Sequence, residues 1–264
     1  MLKGVKHHRE YLGRDLKVCG WIETMRIQQA NGIAFISLTD GSCVSPLQII
    51  LDPKTPEELS KLGSIYSDGT KGVSIEVFGT VVESPAKGQE IEIKCCNLKV
   101  LGGVIAAEYP ISKKKLSLEH IRKYHHLRIR TKTIAAISRI RNACSIATHE
   151  FFQKHKFQYV HTPIITGNDC EGAGETFDIS NELGKEEPFF SKTAKLTVSG
   201  QMHGETYATG LGDIYTFGPT FRAENSNTTR HLSEFWMIEP EMCFIEMKDL
   251  IDISEDYLKY CISY

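Results

Sequence analysis

The chain has 264 residues, of which 41% are hydrophobic and 24% charged, and its formal net charge is −2. That length makes one large or two ordinary domains, and that composition excludes collagen-like, low-complexity and intrinsically disordered chains. The near-neutral balance excludes a molecule that coats a polyanion with its whole surface, so any nucleic-acid site must come from local clustering of charge.

Residues 15–103 form a series of short β-type runs separated by turn signals: LKVCGWIETMRI, IAFISLTDG, SPLQIILD, KGVSIEVFGTVVES and IEIKCCNLKVLGG. After the third run, TPEELSKLGS sets Thr55 as an N-cap ahead of acidic residues in a first turn, which predicts a helix over 55–64. Five strands with a helix after the third fit a small Greek-key barrel of the OB type, and composition alone fits an SH3-like barrel equally well. OB barrels bind single strands by stacking bases on aromatic rings and reading their edges with polar side chains. Arg26, Phe35 and Gln48, one on each of the first three strands, are the candidate contacts. The ordinary alternative for Phe35 is a core aromatic. Gln48, an amide inside an apolar run, is either simply outward-facing or a reader.

Residues 111–141 hold ten Lys or Arg against one acid, Glu119, a local imbalance suited to a phosphate backbone. A solvated helix face accounts equally for any single one of them. Over 133–155 the apolar positions Ile137, Ile140, Cys144, Ala147 and Phe151 recur at alternating gaps of 3 and 4, which predicts one face of a long amphipathic helix. HEFFQKH has the wrong spacing for a helical zinc pair, so His149 and His155 read as ordinary residues. FQYVHTPIIT then reads as a strand ending near Pro163.

TGNDCEGAGETF is a Gly-rich acidic loop containing Glu171, and TVSGQMHGETY contains Gln201, Gly204 and Glu205. Neither string on its own demands more than a surface turn. The most informative stretch is YTFGPTFRAENSNTTRHLSEFWMIEPEMCF, residues 215–244. Two apolar β-type runs, 215–221 and 235–238, flank a polar segment too long for a tight hairpin, which predicts two antiparallel strands and a loop. Arg222, Glu224, Arg230, Glu234, Glu239 and Glu241 are expected on the strands themselves, where so many charges need partners or a ligand. A guanidinium on a rigid strand grips a phosphate bidentately. A carboxylate two residues later shares its face and accepts from an exocyclic amine. Together these would make a nucleotide site built on a sheet. Residues 246–264 read as an amphipathic helix.

FRAE followed by RHLSEFW resembles motif 2 of the class II aminoacyl-tRNA synthetases, and the whole string resembles the asparaginyl branch of class IIb. The resemblance implies an α+β chain: an N-terminal OB-fold β-barrel followed by part of a class II synthetase antiparallel-sheet catalytic domain. It divides the chain into an anticodon-binding barrel (1–103), a basic hinge (104–130) and a catalytic region (131–264). It implies ATP as substrate with Mg2+, asparagine, and tRNA(Asn) as partners. Arg222 would bind the α-phosphate and the amino-acid carboxylate, and Glu224 the adenine amine. Arg230 or His231 would face the terminal phosphates, and Phe235 would stack under adenine. Glu171, in a loop that closes over the amino acid, would face its ammonium group, and Gln201 its ammonium or carboxylate. Glu205 would accept from the asparagine amide, because the lysine that aspartyl relatives carry at the position of Gly204 is absent. Arg26, Phe35 and Gln48 would read the anticodon. The helix, strand and proline before residue 164 resemble motif 1, which implies a homodimer.

The resemblance also implies a shortfall. The Gly-rich, arginine-bearing motif 3 and the carboxylates that hold Mg2+ have no counterpart after Glu241, so no metal ligand is expected in this chain. It is expected to be C-terminally incomplete, and the alternative is a non-catalytic tRNA-binding fragment or paralogue that uses the barrel. The eight cysteines include no C-x-x-C pair, which excludes a zinc ribbon and points to reduced thiols and a cytoplasmic setting. No apolar run approaches the length of a membrane span, and MLKGVKHHREY lacks the apolar core of a secretory signal.

Overall fold

The computed structural model describes residues 9–28, 32–54, 63, 71–86, 88–111, 116–170, 172, 175–179, 189–226, 228 and 230–264. The chain forms two compact units, Met1–Arg139 and Ile140–Tyr264.

The first unit is a closed barrel. Its strands are β1 (Asp15–Ile27), β2 (Ala34–Thr39), β3 (Leu47–Leu51), β4 (Ser74–Glu83) and β5 (Ile91–Gly102), in the order β1-β2-β3-β5-β4. The long β1 pairs with β4 along its first half and with β2 along its second, bending at a register shift between Ile22 and Thr24. Closure comes from the parallel pairing of β3 with β5. This five-stranded Greek-key order is that of an OB barrel, and it removes every open sheet edge. Inward positions alternate along the strands and supply Ile22, Met25, Ala34, Ile36, Leu38, Ile49, Ile75, Val77, Val81 and Ile93, each at most 3% exposed. Gly79 sits beside a register shift of β4, where an added Cβ would lie 2.3 Å from the Lys94 carbonyl oxygen, so no side chain fits. The strands fall where the sequence predicts them, and the helix expected over 55–64 lies outside the described residues except for Gly63.

Short helices α1 (Leu118–Arg122) and α2 (His125–Arg128) lead into the long α3 (Lys132–Lys154). Part of the basic stretch is engaged within the first unit. The Arg130 guanidinium lies 4.7 Å from the Trp21 ring centroid, Lys132 pairs with Glu23 at 3.5 Å, and Arg139 donates to the carbonyls of Gly41 and Cys43 at 2.7 and 3.3 Å.

The second unit contains β6 (Gln158–Tyr159), β7 (Ile165–Thr166), β8 (Lys195–Leu196), α4 (Gln201–Leu211), β9 (Ile214–Phe221), β10 (Glu234–Glu241) and α5 (Met247–Ser263). β9 and β10 pair antiparallel over their whole length, and β6 joins β9 in parallel. Behind this sheet, Phe151 and Phe152 of the α3 end and Phe157 just beyond it pack on Tyr215, joined by Ile253, Tyr257 and Tyr260 of α5. The Phe152 and Tyr215 rings stack at 4.6 Å.

Two expectations change here. The apolar stripe of α3 is buried only in its second half: Ala147 and Phe151 are covered, while Ile137 and Ile140 are 48% and 63% exposed. The strand expected before Pro163 is interrupted. Two residues pair as β6, and the chain resumes as β7 only after Pro163, which has no N–H to give to a ladder.

Candidate active site and nucleic-acid face

The barrel registers align outward side chains in two rows. One crosses β1, β2, β3 and β5 as Arg26, Phe35, Ile50 and Lys94, and the next as Thr24, Ser37, Gln48 and Glu92. The three sequence-predicted barrel residues therefore share one outer face. Phe35 is half-buried there and is not a core ring, since its neighbours Ala34 and Ile36 fill the interior. Two residues of this face went unread in the sequence, Lys94 and Glu92. Their signal was the alternation of IEIK, whose charged positions fall on the face opposite the isoleucines. Among the described residues Glu92 is the one buried charged side chain, at 5% exposure. Its Oε2 accepts from Gln48 Nε2 at 3.3 Å, Ser84 Oγ at 2.9 Å and Gln89 Nε2 at 3.1 Å.

In the second unit the β9–β10 hairpin builds a cavity of about 480 Å3 lined by Arg222, Glu224, Ser226, Arg230, His231, Leu232, Ser233 and Phe235. All five residues expected to meet ATP are in that set, and the volume is in the range of small-molecule sites. Arg222 lies one residue past the end of β9, but its backbone N–H donates to Ser233 at 3.0 Å, which extends the ladder and holds it as a strand residue. Its guanidinium lies 5.6 Å from the Phe235 ring centroid. Glu224 and Arg230 are beyond the strands, in the connecting segment, which corrects the expectation of charges along the strands. That segment is organised locally. His231 Nε2 lies 4.0 Å from Glu224 Oε2, and its Nδ1 hydrogen-bonds the Thr228 hydroxyl. The Ala223 N–H donates to the Glu175 carbonyl at 2.7 Å and the Phe221 N–H to Thr197 at 2.9 Å, so the hairpin end is stitched to the 175–178 and 197 segments.

The same sheet face carries Glu239 and Glu241 against the start of α4. Glu239 is fully engaged: it accepts from the Ser199 hydroxyl, the Gly200 N–H at 3.1 Å and the Thr216 hydroxyl at 3.1 Å. A Cβ on Gly200 would lie 2.8 Å from Thr162 Oγ1 and 3.2 Å from Glu239 Oε2, so the close approach needs glycine. One helical turn brings Gln201 and Glu205 together, with Gln201 Nε2 donating to Glu205 at 2.9 Å. Both are exposed. Gly204 is buried and faces Glu241, whose Cγ would be 3.2 Å from an added Cβ. Burial, then the nearby charges of Glu205 and Glu239, push the Glu241 carboxyl up to about 7. Thus Glu241, which the sequence reading left without a role, is the carboxylate that fills the space opposite Gly204. Its signal was the spacing of two glutamates on one strand face.

Glu171 lies outside the described residues. Among the described residues no three His, Cys, Asp or Glu side chains converge as metal ligands would, and no step below uses the Mg2+ that the resemblance implies. None of the eight cysteines is in a disulfide. Among the described residues no helix is long and apolar enough to cross a membrane.

Comparison with known proteins places both units. Residues 16–101 match the model of the OB-fold nucleic acid binding domain, and residues 117–264 that of the tRNA synthetases class II (D, K and N). The asparagine–tRNA ligase of Protochlamydia amoebophila is 46% identical over 269 residues, covering 97% of this chain and 56% of that protein. The asparagine–tRNA ligase of Borrelia garinii subsp. bavariensis is 48% identical over 268 residues, covering 96% and 56%. The structure of asparaginyl-tRNA synthetase from Pyrococcus horikoshii complexed with asparaginyl-adenylate superposes with a TM-score of 0.84 at 26% identity, over 96% of this chain and 55% of that one. The Entamoeba histolytica asparaginyl-tRNA synthetase shares the fold, with a TM-score of 0.81 at 23% identity. The chain thus spans about half the length of the curated relatives it matches. With more than half of its residues under the catalytic family model, the chain belongs to the class II tRNA synthetases of the D, K and N group.

Proposed function

We propose that this chain carries the anticodon-reading barrel and the motif 1 and motif 2 portion of an asparagine–tRNA ligase. The complete reaction has two steps. The asparagine carboxylate attacks the α-phosphorus of ATP, releasing pyrophosphate and forming asparaginyl-adenylate. The terminal ribose hydroxyl of tRNA(Asn) then takes the asparaginyl group and releases AMP. No covalent enzyme intermediate is required, so the protein contributes position and charge.

The observation that carries this reading is the cavity in which Arg222, Glu224, Arg230, His231 and Phe235 come together. Arg222, steadied by the Phe235 ring, would bridge the amino-acid carboxylate and the α-phosphate at the point where charge develops. Glu224 would accept from the adenine amine, and Arg230 and His231 would meet the outer phosphates. Gln201, Glu205 and Glu171 would line the amino-acid side. A carboxylate in that pocket accepts from an amide NH2 and repels a second carboxylate, which favours asparagine over aspartate. Arg26, Phe35 and Gln48 would read the anticodon. A second copy would cover Ile137 and Ile140 on α3, giving a homodimer. The thiols suit a cytoplasmic setting.

ATP–pyrophosphate exchange tests the assignment. Exchange driven by asparagine and not by aspartate is expected. Equal exchange with both, or exchange with aspartate alone, contradicts it. Exchange with neither, while tRNA is still bound, reassigns the chain as a tRNA-binding module.

A further inference from the structure

A cleft of about 290 Å3 lies on the barrel, between the first half of β1 and the segment that joins β2 to β3. Two thiols line it, Cys19 from β1 and Cys43 from the joining segment. The cleft exists because β1 changes partner. At Trp21 the strand pairs both with Thr39 of β2 and with Ser74 of β4, and before Trp21 it follows β4. The β1 and β2 backbones part from near contact, since a Cβ on Gly20 would lie 2.6 Å from the Thr39 carbonyl oxygen. Cys19 is the next residue back along β1, where the gap opens. The site is distinct from the base-reading face: Cys19 precedes Arg26 by seven residues of β1, roughly 20 Å of strand.

Packing does not account for this pair. A thiol that serves as a small hydrophobe sits in the core, as Cys95 does, whereas Cys19 is exposed and Cys43 half-buried. The Cys19 thiol donates to the Glu76 carboxylate at a long 3.8 Å. Cys43 is presented on a fixed backbone. Arg139 donates to the carbonyls of Gly41 and Cys43, the Ser42 N–H donates to the Asp40 carboxylate at 2.9 Å, and the Cys43 thiol donates to the Ser45 carbonyl at 3.1 Å. We propose that Cys19 and Cys43 form a dithiol modification site, which a hydroperoxide oxidises to a disulfide that closes the cleft. The exposed Cys19 sulfur attacks the peroxide and the O–O bond breaks, leaving a sulfenic acid and one water. The Cys43 sulfur then attacks the Cys19 sulfur. The S–S bond forms, the S–O bond breaks, and the departing hydroxide takes the Cys43 proton as a second water. Two thiols give up two electrons and the peroxide accepts them. A thiol reductant reverses the step, as befits a transient disulfide in a reducing compartment.

The test uses the full 264-residue chain, reduced and dilute. Hydrogen peroxide is added, the remaining thiols are blocked with iodoacetamide, and the digested chain is mapped by mass spectrometry. The expected product is a pair of peptides joined through Cys19 and Cys43 and released by dithiothreitol, in a chain that stays monomeric on a non-reducing gel. The same oxidation in urea should scatter links among the eight cysteines, because the fold no longer sets these two on one cleft. In Cys43→Ser the link is lost and Cys19 stops at the sulfenic acid, trapped as a dimedone adduct that the wild-type chain does not accumulate. A folded wild-type chain that leaves both cysteines open to iodoacetamide, or carries either one to the sulfinic acid without the link, overturns the proposal. So does a link from Cys19 to any other cysteine or to a second chain. A dimedone adduct on Cys19 as strong in the wild-type chain as in Cys43→Ser overturns the role of Cys43.

Discussion

Arg222 and Phe235 form the smallest unit of the pocket at the β9–β10 hairpin. The ring steadies the guanidinium, and the planar fork matches a phosphate in a way an ammonium does not. Arg222→Lys keeps the charge but loses the fork and the stack. It is expected to weaken ATP binding by about tenfold, read by calorimetry. Glu241 gives a different expectation. Its folded-state carboxyl is raised from 4.5 to about 7 by burial and by Glu205 and Glu239. The folded chain therefore holds that proton more tightly than the unfolded chain does. The resulting stabilisation is full below 4.5 and is lost as pH rises through about 7. Thermal unfolding of the chain should show a falling midpoint across that window, and Glu241→Gln should flatten the fall. A midpoint that rises across the window in the wild-type chain contradicts the assignment.

At the scale of elements, the hairpin β9–β10 and the barrel strands were legible because their alternation of apolar and polar positions is local and unambiguous. The α4 helix was not. QMHGETYATGL carries four helix-weakening residues, Gly204, Thr206, Thr209 and Gly210, yet the structure holds it helical. Ala208 packs with Val160 and Ile214, and Glu239 engages the Gly200 N–H at its start. Val160 and Glu239 lie some forty to fifty residues from their partners in sequence, so this support could not be read locally. The helical turn it imposes is what unites Gln201 with Glu205 and turns Gly204 toward Glu241. The tail helix α5 was legible, and its start is fixed by a reciprocal cap between Glu246 and Asp249. Glu246→Ala should cost about 1 kcal/mol and lower the unfolding midpoint by about 3–5 °C. An unchanged midpoint would mean that packing of Ile253, Tyr257 and Tyr260 alone sets this helix.

At the scale of the whole molecule, the family was visible in sequence because motif 2 is contiguous, whereas the proposed anticodon face depends on register across four strands. Arg26, Phe35 and Gln48 are dispersed in sequence and meet only because β1, β2 and β3 pair as they do. Glu92 reaches Gln48 only through the parallel closure of β3 on β5, which no local pattern announces. The exposed half of the α3 stripe was invisible for the opposite reason: periodicity shows which side of a helix is apolar but not what covers it.

The central claim is that the pocket around Arg222 and the carboxylates beside α4 together hold asparagine joined to AMP. The most direct measurement is calorimetric binding of two non-hydrolysable adenylate analogues, asparaginyl- and aspartyl-sulfamoyl adenosine, to this chain. The account predicts binding of the asparaginyl analogue at least about tenfold tighter than the aspartyl one, as expected when the wrong ligand sets another carboxylate against those beside α4. Equal binding of the two, tighter binding of the aspartyl analogue, or binding of neither would contradict it.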